Sequence, residues 1–305
     1  MTDWEEISLE HRDMVNEYLR SWPPEVSEHT FTNLYAWRDH RPILVGELQG
    51  CLVFLHDDDG ERTVLGPQRG DASMVDLLDD LADAGAAGLK RIPAATANEL
   101  RDEGFKVQED RDNADYVYRR EALAELPGNR YHRQQNLVNQ CLSSYDCEWC
   151  EITPDILDEV AHLQDRWCDE RDCGRKKGLC AEYNAIQETL RHYEEFELMG
   201  GAVRIDGQLE AYTVGERLNQ RTAVVHFEKA MSAFTGLYQV VNQWFCQNCL
   251  GEFEFVNREQ DLGIPGLRKA KKSYHPDHMV EKFTASLTGK AMAAPGQAAA
   301  GRCQE

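Results

Sequence analysis

The same order of predicted elements occurs in both halves of the 305-residue chain. In the first half, periodicity and turn residues predict a helix at 9–19, a three-stranded antiparallel meander, a helix, a strand, a further helix and a last strand, ADYVYRR. In the second half, they predict helices in TPDILDEVAHLQDRW and at 181–196, a hairpin in GAVRIDGQLEAYTVGE, a strand in RTAVVHFEKA, a helix in GLYQVVNQWFCQNC and a strand in FEFVN. The duplication and the length predict two α/β domains with mixed sheets and separate cores.

The segment GNRYHRQQNLVNQCLSSY joins the halves as a predicted helix with one polar and basic face. We therefore divide the chain into an N-terminal domain at 1–128, a connecting helix at 129–146, a C-terminal domain at 147–286 and a tail at 287–305. The tail is rich in Ala and Gly and offers no apolar core, so we expect it to be disordered.

Composition limits the class of protein. No stretch approaches the ~20 apolar residues that a membrane span needs, so no span is expected. The first residues lack a basic start and an apolar run, which predicts a cytoplasmic protein whose ten cysteines are thiols. The net charge of −21 argues against DNA binding and against non-specific contact with polyanions. A polyanionic partner would need a local basic cluster, such as those at 130–133 and 268–272.

A carboxylate stands at the end of the strand RTAVVHFEKA. Glu228 could accept the proton of an attacking amine, because a partly buried carboxylate can have its pKa moved toward neutrality. The alternative is that Glu228 and Lys229 are simply strand neighbours whose side chains point to opposite faces.

The stretch NREQDLGIPGLRKAKKSYHP follows the strand FEFVN, at the end where open sheets often present ligand-binding groups. Asp261 could hold an ammonium group, or it could only cap the next helix. Arg268 and Lys272 are four residues apart on that helix, so they share a face that could hold phosphate or carboxylate oxygens. Lys269 and Lys271 are expected to be solvated.

Two cysteine pairs, CEWC at 147–150 and CQNC at 246–249, have the spacing of metal-ligand pairs. They are far apart in sequence, and the second falls inside a predicted helix. Ordinary thiols are therefore the preferred interpretation, and no metal ligand is assigned.

Three segments resemble a known family: DYVYRREALAELPGNRYHRQQNLVNQ, HFEKA and NREQDLGIPGLRKAKKSYHP. They are similar to the bacterial family built on the phosphatidylglycerol lysyltransferase C-terminal domain, whose members carry tandem GNAT-like domains related to Fem-type aminoacyltransferases. The resemblance covers about residues 1–286. It implies two tandem GNAT-like acyl-N-acyltransferase domains and transfer of an activated acyl or aminoacyl group to an amine or a hydroxyl.

The resemblance leaves the donor open. In ordinary acetyltransferases of this fold, a glycine-rich loop before a long helix binds the coenzyme A pyrophosphate through backbone N–H groups. Here the equivalent stretch MSAFTGLYQ keeps Gly236 but lacks the Arg/Gln start and the second glycine. This departure favours aminoacyl-tRNA over acyl-coenzyme A as co-substrate, although the negative charge speaks against tRNA. The acceptor would be a small molecule or lipid-like, and the charge favours a soluble one.

The resemblance also implies the site. Catalysis would fall to Glu228 or Asp261, and backbone N–H groups at 231–236 would stabilise the oxyanion. Substrate binding is expected of Lys229, Gly236, Tyr238, Asn257, Glu259, Arg268, Lys272, Tyr274, Tyr131, Arg133 and Asn136. The three residues of the connecting helix, Tyr131, Arg133 and Asn136, could instead lock the domains together, and Tyr274 could be merely a buried ring. The alternative function is a non-catalytic protein that kept the fold and binds a small ligand or a partner.

Overall fold

A computed structural model of the chain describes residues 3–58, 60–175 and 177–287. The predicted disorder of the tail therefore lies, from residue 288 onward, outside the described residues.

The structure contains alternating strands and helices, with short 3-10 turns between them. The strands are β1 (Glu5–Glu6), β2 (Ile43–Leu48), β3 (Cys51–Asp58), β4 (Glu61–Leu65), β5 (Ala86–Ile92), β6 (Val107–Glu109), β7 (Asp115–Arg119), β8 (Cys147–Glu151), β9 (Met199–Ile205), β10 (Gln208–Arg217), β11 (Thr222–Ala230), β12 (Phe255–Asn257), β13 (His278–Val280) and β14 (Phe283–Ser286). The helices are α1 (Arg12–Ser21), α2 (Phe31–Ala36), α3 (Leu78–Asp83), α4 (Ala94–Asp102), α5 (Arg120–Glu125), α6 (His132–Ser144), α7 (Leu157–Arg171), α8 (Lys177–Arg191), α9 (Leu237–Asn248) and α10 (Pro265–Lys272).

The described strands form two mixed seven-stranded sheets with matching orders. The first is β1-β2-β3-β4-β5-β14-β6, and the second, β8-β9-β10-β11-β12-β7-β13, follows the same plan. Each half gives its last strand to the sheet of the other half. Strand β7 pairs with β12 and β13, whereas β14 pairs with β5 and β6.

The predicted mixed α/β architecture is confirmed, and the predicted meander is present as β2, β3 and β4. The predicted strand ADYVYRR is also present as β7, but it lies in the second sheet. A short apolar strand encodes its own conformation and not the sheet edge with which it pairs. The domain boundaries at 128 and 147 stay a prediction, and sheet membership does not follow them.

The expectation of two separate cores is wrong. One hydrophobic cluster contains residues of both halves. Phe31 and Tyr35 of α2 pack against Phe196 of the second half, with ring centroids 5.5 and 5.6 Å apart. Every residue of α2 is buried, including Thr32 and Asn33, so this short helix has no exposed face and gives no amphipathic signal in the sequence.

A buried charged cluster lies where the exchanged strands meet. Lys282 Nζ, just before β14, lies 2.6 Å from Asp115 Oδ1 of β7 and 2.5 Å from Glu28 Oε2. Burial alone would lower the pKa of Lys282, but the two carboxylates raise it. The cluster therefore joins both halves through charges that would be unfavourable if unpaired.

One cysteine pair differs from the expectation of thiols. Cys168 and Cys173 form a disulfide, with Cα atoms 5.1 Å apart. Asp172 ends α7 in the left-handed conformation, which turns the chain back and brings the two residues together.

Candidate functional site

The second sheet opens beside β11. The parallel pairing of β11 with β12 joins only Thr222 to Val224 with Phe255 to Asn257, yet β11 continues to Ala230. On its other side, a bulge leaves His226 without a partner in β10. Bulges are common next to active sites because they redirect side chains. We call the space beside residues 225–230 the open edge of β11.

Glu228 lies on this part of β11, with 12% of its side chain exposed. One carboxylate oxygen accepts a hydrogen bond from Arg258 at 2.8 Å, and the other accepts one from the amide of Asn242 at 3.1 Å. A carboxylate offers about four acceptor positions. Glu228 therefore retains acceptor capacity beyond these two donors.

Arg258 connects Glu228 to two tyrosines. Its guanidinium carbon lies 4.9 Å from the ring centroid of Tyr274 and 5.9 Å from that of Tyr118. Burial alone would lower the pKa of Arg258, but the charge of Glu228 and other neighbours raise it above its ordinary value. Arg258 is therefore a permanent cation behind the carboxylate.

The solvated position expected for Lys271 is wrong. Its ammonium group is buried and donates to the backbone carbonyl of Arg258, although the residue as a whole is partly exposed. Burial lowers the pKa of Lys271 to about 8. A substantial fraction of this amine is therefore neutral at slightly alkaline pH.

His226 lies between two carboxylates at the bulge. Its Nδ1 is 2.9 Å from Glu259 Oε1, and its Nε2 is 2.8 Å from Glu216 Oε1. Burial alone would lower the pKa of His226, but the hydrogen bonds to the two glutamates raise it to about 10. The predicted binding residue Glu259 thus holds a charged imidazolium.

Lys229 points to the opposite face of the sheet from Glu228, toward α7 and α8. Its ammonium lies 2.8 Å from Glu182 Oε2 and 4.2 Å from the ring centroid of Trp167. The indole N–H of Trp167 donates to the hydroxyl of Tyr238 at 3.2 Å. The predicted pair Lys229 and Tyr238 therefore meets around one tryptophan.

Asp261 is fully enclosed by donors. One carboxylate oxygen accepts from Tyr116 at 2.5 Å, Arg268 at 2.8 Å and Arg111 at 3.4 Å. The other accepts from Arg268 and from the N–H of Gly263, at 2.8 and 2.9 Å. Burial alone would raise the pKa of Asp261, but the hydrogen bonds from Arg268 and Tyr116 hold it well below its usual range. This geometry favours an anchor for α10, and the predicted catalytic role of Asp261 stays a prediction.

Two further predicted binding residues are committed to internal contacts. Asn257 is fully buried, donating to Asp115 at 3.1 Å and accepting from the N–H of Glu259 at 2.8 Å. Arg268, besides binding Asp261, donates to Asp112 at 2.6 Å. Both residues therefore stabilise the loop and helix that follow β12.

A cavity of about 230 Å³ lies between α6, α9 and α10, and we call it the α6–α9–α10 cavity. It is lined by Arg133, Gln134, Leu137, Gln239, Gly266, Lys269, Ala270, Ser273 and Tyr274. The hydroxyl of Tyr131 donates to the carbonyl of Tyr274 at 3.1 Å, and the amide of Gln134 to that of Ser273 at 2.6 Å. The two predicted basic segments thus meet, whereas the side chains of Asn136 and Lys272 face solvent.

The connecting helix also covers the start of α9. Gly236 precedes α9 with φ of 89°, and a Cβ atom there would lie 2.1 Å from the carbonyl oxygen of Leu137 in α6. The N-terminus of α9 is the place where the resemblance puts a coenzyme A pyrophosphate. Gly236 therefore serves the close packing of α6 on this end of α9.

Sequence reasoning missed several members of the site. His226, Trp167 and Glu182 have no role in the sequence analysis, although His226 stands in the quoted HFEKA segment, and Lys271 is expected there to be solvated. A polar residue inside an apolar strand is a usable signal, whereas the contacts of Trp167 and Glu182 depend on helix packing. Among the residues that the structure describes, no group of three or more His, Cys, Asp or Glu side chains could hold a metal ion.

Solved structures share this architecture. A protein of unknown function from Bacteroides thetaiotaomicron is 30% identical, with a TM-score of 0.87 over 94% of this chain and 100% of that one. The C-terminal domain of a protein named as a lysylphosphatidylglycerol synthetase, from Agrobacterium fabrum, is 12% identical, with a TM-score of 0.68 over 92% of both chains. L-PGS from Bacillus licheniformis is 13% identical, with a TM-score of 0.66 over 92% of both. No curated protein matches the chain.

The tandem GNAT-like fold is thereby confirmed. In the described part of the chain, no helix is long and apolar enough to cross a membrane. The family model described as phosphatidylglycerol lysyltransferase, C-terminal, matches residues 20–286. Family and fold together indicate a function of the acyl- or aminoacyltransferase type. The chain belongs to the phosphatidylglycerol lysyltransferase C-terminal family.

Proposed function

We propose that this protein transfers an aminoacyl group from an aminoacyl-tRNA-type donor to an amine or hydroxyl of a small or lipid-like acceptor, at the open edge of β11. The observation that carries the proposal is the position of Glu228. Its carboxylate lies beside backbone that β12 does not pair, and two donors leave it with acceptor capacity.

In the proposed reaction, the acceptor nitrogen or oxygen attacks the carbonyl carbon of the donor ester. Glu228 accepts the acceptor's proton, and backbone N–H groups of β11 that β12 does not pair stabilise the oxyanion. The tetrahedral intermediate then collapses, the ester bond to the donor breaks, and the proton passes to the departing ribose oxygen. Arg258 holds the carboxylate in place, and Asp261 positions α10.

Two features support a tRNA-type donor over acyl-coenzyme A. The packing of α6 on Gly236 leaves little space at the N-terminus of α9 for a pyrophosphate. In addition, Arg133 and Lys269 border the α6–α9–α10 cavity, with exposed Arg130 and Lys272 on the same two segments. Four cations form a local basic surface on a chain of net charge −21, which suits phosphates. Tyr274 connects this cavity to Arg258.

The donor is tested by thermal unfolding of the purified chain with coenzyme A, acetyl-coenzyme A, charged tRNA, uncharged tRNA and free amino acids. We expect a selective shift with charged tRNA, because a ligand that binds only the folded state stabilises it. Reversing the charge of Arg133 and Lys269 together should abolish the shift. The matched control reverses Arg101 and Lys106, which are exposed in the first half. A shift with coenzyme A species alone would contradict the proposed donor.

The chemistry is tested by the variant Glu228→Gln. We expect transfer of radiolabelled amino acid to fall by about 10²–10⁴-fold, which is the usual contribution of a general base. The assay is run where circular dichroism shows the variant to be folded, since the ion pair with Arg258 is also lost. Glu252→Gln is the control, because Glu252 pairs with Arg217 on the surface. Unchanged turnover in Glu228→Gln would exclude the role of Glu228, and a protein that binds ligand without any turnover would be the non-catalytic alternative.

A further inference from the structure

A second cavity lies in the first half of the chain, and none of the residues that line it was assigned a role from the sequence. Its volume is about 120 Å³, several times the ~30 Å³ that one water molecule occupies in the liquid. Its walls come from α2 and the strands β2 to β5, and its charged and aromatic members are Glu28, Trp37, Arg41, His56, Lys90 and Arg91.

The charges that line this cavity are not balanced. Three cationic side chains face one carboxylate, which gives a local charge of +2 (three minus one) with the histidine neutral. The carboxylate, Glu28, is already bound by Lys282 and by Arg91 Nε, which lies 3.0 Å from its Oε1. Arg91 also pairs with Asp110. The excess positive charge therefore rests on Arg41 and Lys90.

Within residues 3–58, 60–175 and 177–287, no side chain or carbonyl accepts a hydrogen bond from the guanidinium of Arg41 or the ammonium of Lys90, and neither forms an ion pair. The guanidinium of Arg41 lies over the ring of Trp37, with its central carbon 4.5 Å from the centroid. Burial is the main reason why the pKa of Arg41 is lowered. A partly buried cation that no carboxylate contacts directly is unfavourable, and an anion in the cavity would offset part of that cost.

The backbone around the cavity carries a further sign of function. Arg91 adopts φ of 58°, a conformation that residues with side chains rarely take and that is often found at ligand sites. Arg91 and Glu28 hold each other on the wall, and the ring of Trp37 holds the guanidinium of Arg41. Both arginines of the cavity are therefore positioned by contacts within the protein.

We propose that the cavity between α2 and the first sheet binds a small oxyanion, a carboxylate or a phosphate group, through Arg41 and Lys90. Trp37 forms the apolar wall that positions the guanidinium, and His56 is available as a neutral hydrogen-bonding group. The residues that line this cavity belong to the first half, whereas the transferase site is proposed for the second half, and the inference does not depend on that proposal.

The test is isothermal titration calorimetry of the full chain with inorganic phosphate and, separately, with acetate, at constant ionic strength set by sodium chloride. We expect saturable binding of at least one of the two anions, and the one preferred identifies the class of ligand. Arg41→Gln should weaken binding of that anion by about tenfold or more, because one charge-assisted hydrogen bond is lost. Arg101→Gln is the matched control, because its guanidinium also lies over a ring, 4.8 Å from Phe283, but outside the cavity.

Lys90→Gln provides a second test, because Arg41 also packs on the ring of Trp37 and its replacement disturbs the fold more. Lys90→Gln should weaken binding of the same anion by several-fold, and it replaces Arg41→Gln as the test if that variant does not fold. The proposal is overturned if neither anion binds in the millimolar range. It is equally overturned if binding persists unchanged in both variants, because the anion would then occupy another part of the surface.

Discussion

Each half of the chain buries a histidine side chain against corresponding strands, and one of the two rings is neutral whereas the other is charged. His29 contacts β4: its Nε2 is 2.8 Å from the carbonyl of Leu65, and its Nδ1 accepts from Arg69. Burial and the charge of Arg69 lower the pKa of His29 to about 3. His226 lies on β11, the counterpart of β4, and its two glutamates raise its pKa to about 10. Burial is common to both, so the neighbouring charge decides the state of the ring.

The backbones of the two halves differ in the same place. Strand β4 pairs with β5 up to Leu65, and the N–H of Gly66 still donates to the carbonyl of Lys90 at 2.7 Å. Strand β11 leaves β12 after Val224. The parallel pair β4–β5 therefore stays closed to its end, whereas the pair β11–β12 opens, and Glu228, His226 and their partners lie at the opening. One topology thus yields a closed sheet in one half and a charged, open edge in the other.

The exchange of strands is common to both halves. The largest expected effect on stability comes from removing Lys282, the buried cation where the exchanged strands meet. Lys282→Met leaves Asp115 buried without a cation and Glu28 with Arg91 alone, so we expect the free energy of unfolding to fall by about 3–5 kcal/mol. Urea unfolding measures the loss, with the exposed Lys106→Met as control. A loss below about 1 kcal/mol would show that this cluster does not hold the halves together.

His226 should make the protein less stable at alkaline pH. Its folded pKa of about 10 exceeds the unfolded value of about 6.5, so its contribution is complete below pH ~6.5 and is lost as pH rises toward 10. We expect a loss on the order of 3 kcal/mol, measured by unfolding at several pH values. His226→Gln should flatten this alkaline slope. An identical slope in the variant would mean that His226 is neutral.

His29 should act on the opposite side of the pH profile. Its folded pKa of about 3 is below the unfolded value of about 6.5, so the unfolded chain binds the additional proton and stability falls as pH drops from ~6.5 toward 3. The expected loss in the free energy of unfolding is similar to that for His226 or slightly smaller. His29→Gln should flatten the acid slope and leave the alkaline slope intact. If either variant changed both slopes, the comparison of the two histidines would fail.

The smallest expected effect concerns the contact between α6 and α9. Gly236→Ala places a Cβ against the carbonyl of Leu137 at a positive φ, which should cost at least about 2 kcal/mol of stability. Gly251→Ala is the control, because nothing lies within 4 Å of its added Cβ. Thermal unfolding of both variants measures the difference. Equal stability would mean that α6 can move away from α9 and that a pyrophosphate could enter there.

The sequence predicted the strands of both meanders and the helices around them, the helical character of the connecting segment and the position of Glu228 at the end of its strand. It failed for α2, whose buried residues show no periodicity, and for Lys271, whose neighbours on α10 are exposed. It also expected separate cores, because a chain that repeats its elements gives no sign that one half will pack against the other. Local patterns report how a segment folds and not what it contacts.

The sequence by itself determined the duplicated order of elements, the family and the stretch from Asn257 to Pro276 as a concentration of charge, because these depend on residues close together in the chain. Only the tertiary structure decided which charges are available. Asp261 is saturated by donors as distant as Arg111, 150 residues away, whereas Glu228 is not. It also decided that each half completes the other's sheet and that one buried histidine is neutral and the other charged. Pairing between distant residues depends on topology, and the charge of a buried group depends on that pairing.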